Sequence, residues 1–255
     1  MSMIGVYIGY SLALGEFTFN LSILYAMLAV FCISGGGQAI NDYFDYDVDK
    51  RKKSARPLAS GLISRKNGLF FSIGLFLLGM VLASFLNNDA FWIAVFFSAL
   101  LILYSWLMRE IKFVGNIIVA LGTGFTFIFG ASVISVTPLV LMIAFAAFLA
   151  NWAREIIKDV EDKNEDKGIK ITLPHILKSH QVTFVIWALL LLTLIAGYLP
   201  VVLGQSNLYY TLLVTAANIV FILAGKEIHA QHATKAQSLM KKGMIIALVA
   251  ALVLV

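Results

Sequence analysis

The sequence predicts an all-α, polytopic membrane protein, a bundle of nine transmembrane helices, on three observations. Of the 255 residues, 60% are hydrophobic and only 13% carry charge. A soluble domain has about 45–50% apolar and about 25% charged residues. Mean hydropathy is +0.90. The apolar residues also gather in runs close to the ~20 that a helix needs to cross the hydrocarbon core. No period-two alternation of strands is present, and backbone crossing lipid must satisfy its own hydrogen bonds, as a helix does. Disorder, a coiled coil and a disulfide scaffold are excluded. The single cysteine, Cys32, has no partner in the chain and reads as a small packing residue.

The nine segments run over roughly 1–15, 21–40, 68–87, 90–108, 114–132, 138–157, 181–200, 208–225 and 243–255. The first has neither a basic lead-in nor a small-residue cleavage site, so it does not read as a signal peptide. At about 1.5 Å per residue the first and last are too short to span upright. Either they tilt into the bundle, or the numbered chain lacks residues at both ends. The second carries Gly35-Gly36-Gly37 shortly before its end, which permits a bend or a close helix approach. Gly122, Gly124 and Gly130 in the fifth read likewise.

Charge orders these segments. All 19 Lys and Arg fall in or beside 50–66, 109–112, 154–178 and 226–242, after segments two, four, six and eight. The alternate loops at 16–20, 87–90, 133–137 and 201–207 contain none. That partition follows the positive-inside rule. It places the basic loops and the N-terminus in the cytoplasm and makes the chain an integral protein of the cell membrane. The expected unit is one domain over 1–255, with cap loops at about 41–67, 109–113, 158–180 and 226–242. The net charge of +5 sits in short loops between apolar spans. It therefore points to membrane lipid and anionic substrates and away from nucleic acid. Lys241-Lys242 reads as a topology anchor. His175, His180, His229 and His232 show no zinc-ligand spacing and read as interface side chains.

The acids are distributed in a different way. Only Glu16 and Asp89 lie on the outer side; the other twelve share the basic face. They concentrate in Asn41-Asp42-Tyr43-Phe44-Asp45-Tyr46-Asp47-Val48-Asp49 and in Asp159-Val160-Glu161-Asp162-Lys163-Asn164-Glu165-Asp166. Asp42, Asp45 and Asp49 are spaced i, i+3, i+7, and so are Asp159, Asp162 and Asp166. On a helix that spacing puts three carboxylates on one face. At the same offset of 117 residues, Lys50 matches Lys167, Lys53 matches Lys170 and Pro57 matches Pro174. The pattern is a degenerate internal repeat that brings two carboxylate faces together.

Like charges on one helical face repel, and a hard divalent cation relieves the repulsion. Mg²⁺ typically takes one or two carboxylates plus substrate phosphates. Two facing clusters can hold two or three such ions on a diphosphate. Lys50, Lys53, Arg56, Arg109, Lys112, Lys167 and Lys170 can neutralise the remaining phosphate charge. A solvated acidic loop is the bland alternative. Calcium is another, but no EF-hand loop occurs.

Asn41-Asp42-x-x-Asp45-x-x-x-Asp49 after segment two resembles the first aspartate-rich motif of the UbiA superfamily of intramembrane prenyltransferases. Asp159-x-x-Asp162-x-x-x-Asp166 after segment six resembles the second. With Arg56-Pro57-Leu58-Ala59-Ser60-Gly61 and the run Arg154 to Asp162, the chain is most similar to the archaeal digeranylgeranylglyceryl phosphate synthases. The resemblance implies Mg²⁺ as cofactor. It implies metal ligands among Asn41, Asp45, Asp49, Asp159, Asp162 and Asp166, and Asp42, Asp45, Asp159 and Asp162 as the residues that carry the chemistry. It further implies a geranylgeranyl diphosphate donor and a lipid acceptor, geranylgeranylglyceryl phosphate. Its glycerol hydroxyl is prenylated as diphosphate leaves, a step of archaeal ether-lipid synthesis. One departure is that the family's Tyr-then-Lys pair near the end of segment four appears here as Tyr104 followed by Arg109 and Lys112. The family's basic lead-in before the first segment is absent.

The acceptor phosphate needs a second basic site, for which Arg56, Arg109, Lys112 and Arg154 are candidates. Asn116 can bond substrate or cap its helix. Tyr104, Phe125, Phe127 and Phe129 can face the allylic cation. Asp42 or Asp159 can accept the hydroxyl proton. An aromatic acceptor such as 4-hydroxybenzoate or a quinone precursor is the nearest alternative, and a transporter a distant one. Charges gathered at one face rather than at the midplane disfavour transport.

Overall fold

The computed structural model describes residues 2–51, 55–107, 112–168 and 171–255. The helices run in the order α1 (Ser2–Leu14), α2 (Leu21–Phe44), α3 (Tyr46–Arg51), α4 (Arg65–Ser84), α5 (Asn88–Leu107), α6 (Lys112–Ser132), α7 (Pro138–Glu161), α8 (Lys163–Asp166), α9 (Leu173–Ile176), α10 (Ser179–Val202), α11 (Leu208–His229) and α12 (Ala233–Leu252). Their starts follow local chemistry. Asn20, Ser64, Thr137 and Asn207 each accept a hydrogen bond from the backbone N–H three residues on, at 3.1, 3.2, 3.3 and 2.8 Å. That satisfies donors which a helix end leaves orphaned.

Among the described residues, seven helices are long and apolar enough to cross a membrane: α2, α4, α5, α6, α7, α10 and α11. They make the chain an integral membrane protein of all-α class. The nine-span expectation differs at the two ends. Helix α1 has 13 residues. Helix α12 begins ten residues before the predicted apolar start at 243 and carries Lys235, Lys241 and Lys242 in its first half. Nothing in 233–242 breaks a helix, since neither Gly nor Pro occurs there. The turn lies earlier, at 230–232, where Gln231 has φ 64. The predicted 226–242 loop is thus mostly helix.

Helix α2 packs on α4 and α5, and α7 packs on α10 and α12, with α11 against α12. Helices α1 and α6 join the two groups. Here two helices meet backbone to backbone. A methyl on Gly9 would lie 2.0 Å from the Phe127 carbonyl oxygen, and one on Gly130 2.0 Å from that of Val6. Small residues permit such approaches in lipid, where the hydrophobic effect does not drive helices together. The outward surfaces remain apolar: Phe70, Phe71, Leu77, Val81 and Phe85 on or beside α4 are more than half exposed. Such a band fits contact with acyl chains.

Candidate active site

Both aspartate-rich blocks fold into the same turn. Helix α2 ends at Phe44 and Asp45 caps it; helix α7 ends at Glu161 and Asp162 caps it. The caps have φ −79, ψ 0 and φ −83, ψ 0. The Asp45 N–H donates to the Asn41 carbonyl at 2.8 Å, and the Asp162 N–H donates to that of Lys158 at 2.9 Å. One turn on, the Asp49 N–H donates to the Asp45 carbonyl at 2.8 Å and the Asp166 N–H to that of Asp162 at 2.9 Å. Every participant recurs at the 117-residue offset, so the internal repeat is one of backbone geometry as well as of sequence. The triplets do not share one continuous helix, as the spacing suggests. Each chain turns at its middle Asp, and the last Asp sits on short α3 or α8.

The two turns open on one cavity of about 1090 Å³. Asn41, Asp42, Asp49, Asp159, Asp162 and Asp166 line one end of it, with Arg56, Tyr104, Asn116 and Arg154. Most of its other wall is apolar, reaching Phe97 and Phe125 on one side and Val214 and Leu248 on the other. The rings of Phe97 and Phe125 stand 4.6 Å apart.

The side-chain partners differ between the blocks. In the first, Arg56 Nη1 donates to Asp42 Oδ1 at 2.7 Å and to Asp49 Oδ2 at 3.0 Å. Asn41 Nδ2 donates to Asp45 Oδ2 at 3.3 Å, and Asp45 is buried and off the cavity wall. In the second, Asn116 Nδ2 donates to Asp159 Oδ2 at 2.6 Å. Burial pushes the Asp162 carboxyl above its ordinary value, against the lowering effect of nearby Lys158. Tyr104 is fixed by Gly115, where a methyl would meet its ring at 2.4 Å.

Other predicted residues fall elsewhere. Lys50 is exposed and lies 5.5 Å over the Tyr46 ring, and Lys167 is exposed; neither lines the cavity. Lys53, Arg109 and Lys170 lie outside the described residues, as does the side chain of Lys112. Phe127 and Phe129 line the cavity with Phe125. Sequence reasoning missed Asn151, Lys158 and Lys241 on the wall. Asn151 donates to Thr123 Oγ1 at 2.9 Å. It stands one turn before Arg154, so a polar stripe up α7 was the signal. Lys241 faces the cavity in addition to any anchoring role, a correction that depends on the register of α12.

The donor chemistry fits a hard divalent cation: the candidate ligands are carboxylate and amide oxygens. Among the described residues, no three His, Cys, Asp or Glu side chains enclose an ion by themselves.

Comparison with known proteins gives a consistent result. Residues 2–249 match the model of the UbiA prenyltransferase family. The digeranylgeranylglyceryl phosphate synthase of Thermococcus kodakarensis is 37% identical over 236 residues, 90% of this chain and 84% of that protein. A solved digeranylgeranylglyceryl phosphate synthase structure superposes with a TM-score of 0.86 at 32% identity, covering 99% of this chain and 92% of that one. A UbiA homolog from Archaeoglobus fulgidus bound to DMAPP and Mg²⁺ shares the fold, with a TM-score of 0.69 at 16% identity over 99% and 96% of the two chains.

Proposed function

This chain belongs to the UbiA prenyltransferase family, and on that footing we propose that it transfers a geranylgeranyl group from geranylgeranyl diphosphate to the glycerol hydroxyl of geranylgeranylglyceryl phosphate. One observation carries the reading: two carboxylate blocks from distant parts of the chain meet at the polar end of a single cavity whose other walls are mostly apolar. The full chain acts as one transferase domain, with the charged end of the bundle on the cytoplasmic side of the cell membrane. The positive-inside partition of its loops supports that orientation.

Asp42, Asp49, Asp159, Asp162 and Asp166 would hold Mg²⁺ at the end of the cavity where the donor's head binds, with Asn41 and Asp45 supporting the first turn. The bound metal would supply charge stabilisation for the departing diphosphate. Arg56 adds a guanidinium beside the phosphates. The apolar walls take the prenyl chain and keep water from the allylic carbon as its bond to the diphosphate oxygen breaks. Tyr104, Phe97 and Phe125 present ring faces where positive charge develops. The acceptor oxygen bonds to that carbon, and its proton passes to a carboxylate, Asp159 or Asp42. Asn116 holds Asp159 in orientation for either role.

Incubating the purified protein with labelled geranylgeranyl diphosphate, Mg²⁺ and geranylgeranylglyceryl phosphate tests the reading. The expected products are the diether phosphate and diphosphate in equal amounts. Transfer only to 4-hydroxybenzoate or another aromatic acceptor would overturn the choice of acceptor. Release of prenyl alcohol regardless of acceptor would overturn transfer itself.

A further inference from the structure

Four described cationic side chains line the cavity: Arg56, Arg154, Lys158 and Lys241. Two are paired with carboxylates and a third lies close to them. Arg56 bridges Asp42 and Asp49, Arg154 pairs with Glu155, and Lys158 lies within electrostatic reach of Asp159 and Asp162. Lys241 has no carboxylate partner among the described residues. It enters from α12, a helix that carries neither aspartate block.

The register of α12 shows that this placement is built in. The residues of α12 on the cavity wall are Lys241, Met244, Ala247, Leu248, Ala250 and Ala251. Their spacing of three and four marks one face of a helix. Met240 and Gly243 are buried within the same stripe, where Gly243 packs against Phe221. Lys241 and Lys242 are both exposed, but Lys242 is off the cavity wall. Lys241 is therefore the single charged side chain heading an otherwise apolar stripe. Its depth is set as well. Gln237 Nε2 donates to Glu161 Oε2 at 2.6 Å, tying α12 to the end of α7. The two helices run antiparallel, so Lys241, about one turn further along, stands level with the stretch of α7 between Arg154 and Lys158.

Lys241 is itself exposed on the cavity wall, so its charge is within reach of an anion that enters there. An acceptor that carries a phosphate monoester must bring that charge into the cavity while the aspartate blocks are occupied with the donor's head. We propose that Lys241 binds the phosphate of the lipid acceptor, holding its headgroup at the mouth of the cavity while the acceptor's chain lies along Met244, Ala247, Leu248 and Ala251. The inference rests on the phosphorylated acceptor named above and adds a residue that the aspartate motifs do not reveal. Lysine suits the task as a point charge with rotatable donors.

The test compares wild type, Lys241→Gln, Lys241→Arg and Lys242→Gln with geranylgeranylglyceryl phosphate and with its dephosphorylated counterpart. Wild type should prefer the phosphorylated acceptor. Lys241→Gln should raise the KM for that acceptor roughly tenfold, the loss of one charge-assisted contact. It should leave the KM for the donor unchanged and reduce the preference for phosphate. Lys241→Arg should recover most of the affinity, and Lys242→Gln should behave as wild type. Equilibrium binding of the phosphorylated acceptor, measured without donor or metal, should weaken in parallel. An unchanged acceptor KM and unchanged binding in Lys241→Gln, with wild type active, would overturn this inference alone. Wild type that transfers to no phosphorylated acceptor would overturn the reading beneath it, and this inference with it.

Discussion

The two aspartate blocks share a backbone and differ in what surrounds it. Their helix ends, caps and following turns repeat bond for bond at the 117-residue offset. The first block carries its own counter-charge, because Arg56, seven residues after Asp49, bridges Asp49 and Asp42. The second borrows a neutral amide from another helix, Asn116 on α6, and its Asp162 is left with a raised tendency to hold a proton. The two blocks thus share the backbone geometry that lines the cavity with carboxylates and differ in the partners of those carboxylates. The first block is balanced by one guanidinium; the second leans on an amide from a neighbouring helix and on nearby Lys158.

This contrast can be broken at several points. The largest effect is expected from Asp162→Ala, which removes a wall carboxylate with little burial cost. Turnover should fall about 10²- to 10³-fold, the usual result of removing one preorganised charge-stabilising group, with the thermal melt unchanged. Asp45→Ala should lower turnover too. It should also lower the melting temperature, because Asp45 is 1% exposed and its loss leaves Asn41 without its acceptor. Equal melts for the two variants would remove the distinction between the blocks.

Next comes Asn116→Ala. Asp159 would lose the donor that orients it, and removal of an outer-shell partner commonly costs about 10- to 100-fold in metal affinity or activity. Manganese titration and steady-state kinetics both read it. Arg56→Ala has the opposite sign in one readout. Without its guanidinium, the first block should bind Mg²⁺ roughly fivefold more tightly in the absence of substrate, since a unit charge at contact distance in a solvated site is worth about 1 kcal/mol. Turnover should still fall. The smallest effect is expected from Gly115→Ala. Its methyl would press on the Tyr104 ring and cost about 1 kcal/mol, the low end for overpacking, seen as a lower melting temperature.

Much of this was legible in the sequence. Apolar runs and one-sided lysines gave the bundle, and the paired Asp spacing gave the facing blocks, because both signals are periodic and local. What stayed hidden depends on contacts between distant residues. Nothing near Asn116 announces Asp159 as its acceptor. The length of α12 was misjudged because hydropathy marks where a helix turns apolar, not where it begins. Lys241 and Lys242 look alike as a pair, and the register of α12 puts only the first on the cavity wall. The turn at Asp45 and Asp162 was hidden for a related reason. Spacing of i, i+3, i+7 is compatible with a continuous helix, and the break lies in the backbone at each middle Asp, where ψ moves to 0.

The central claim is that both blocks hold a single diphosphate through shared divalent ions. Mg²⁺-dependent binding of pyrophosphate, measured by calorimetry in wild type, Asp49→Asn, Asp166→Asn and the double variant, tests it most directly, with a chelator as the zero point. Each single variant should lose at least about tenfold in affinity, and the double should lose less than the two combined, as groups that share a ligand are not additive. Full affinity in either single variant, or binding that survives the chelator, would contradict the account.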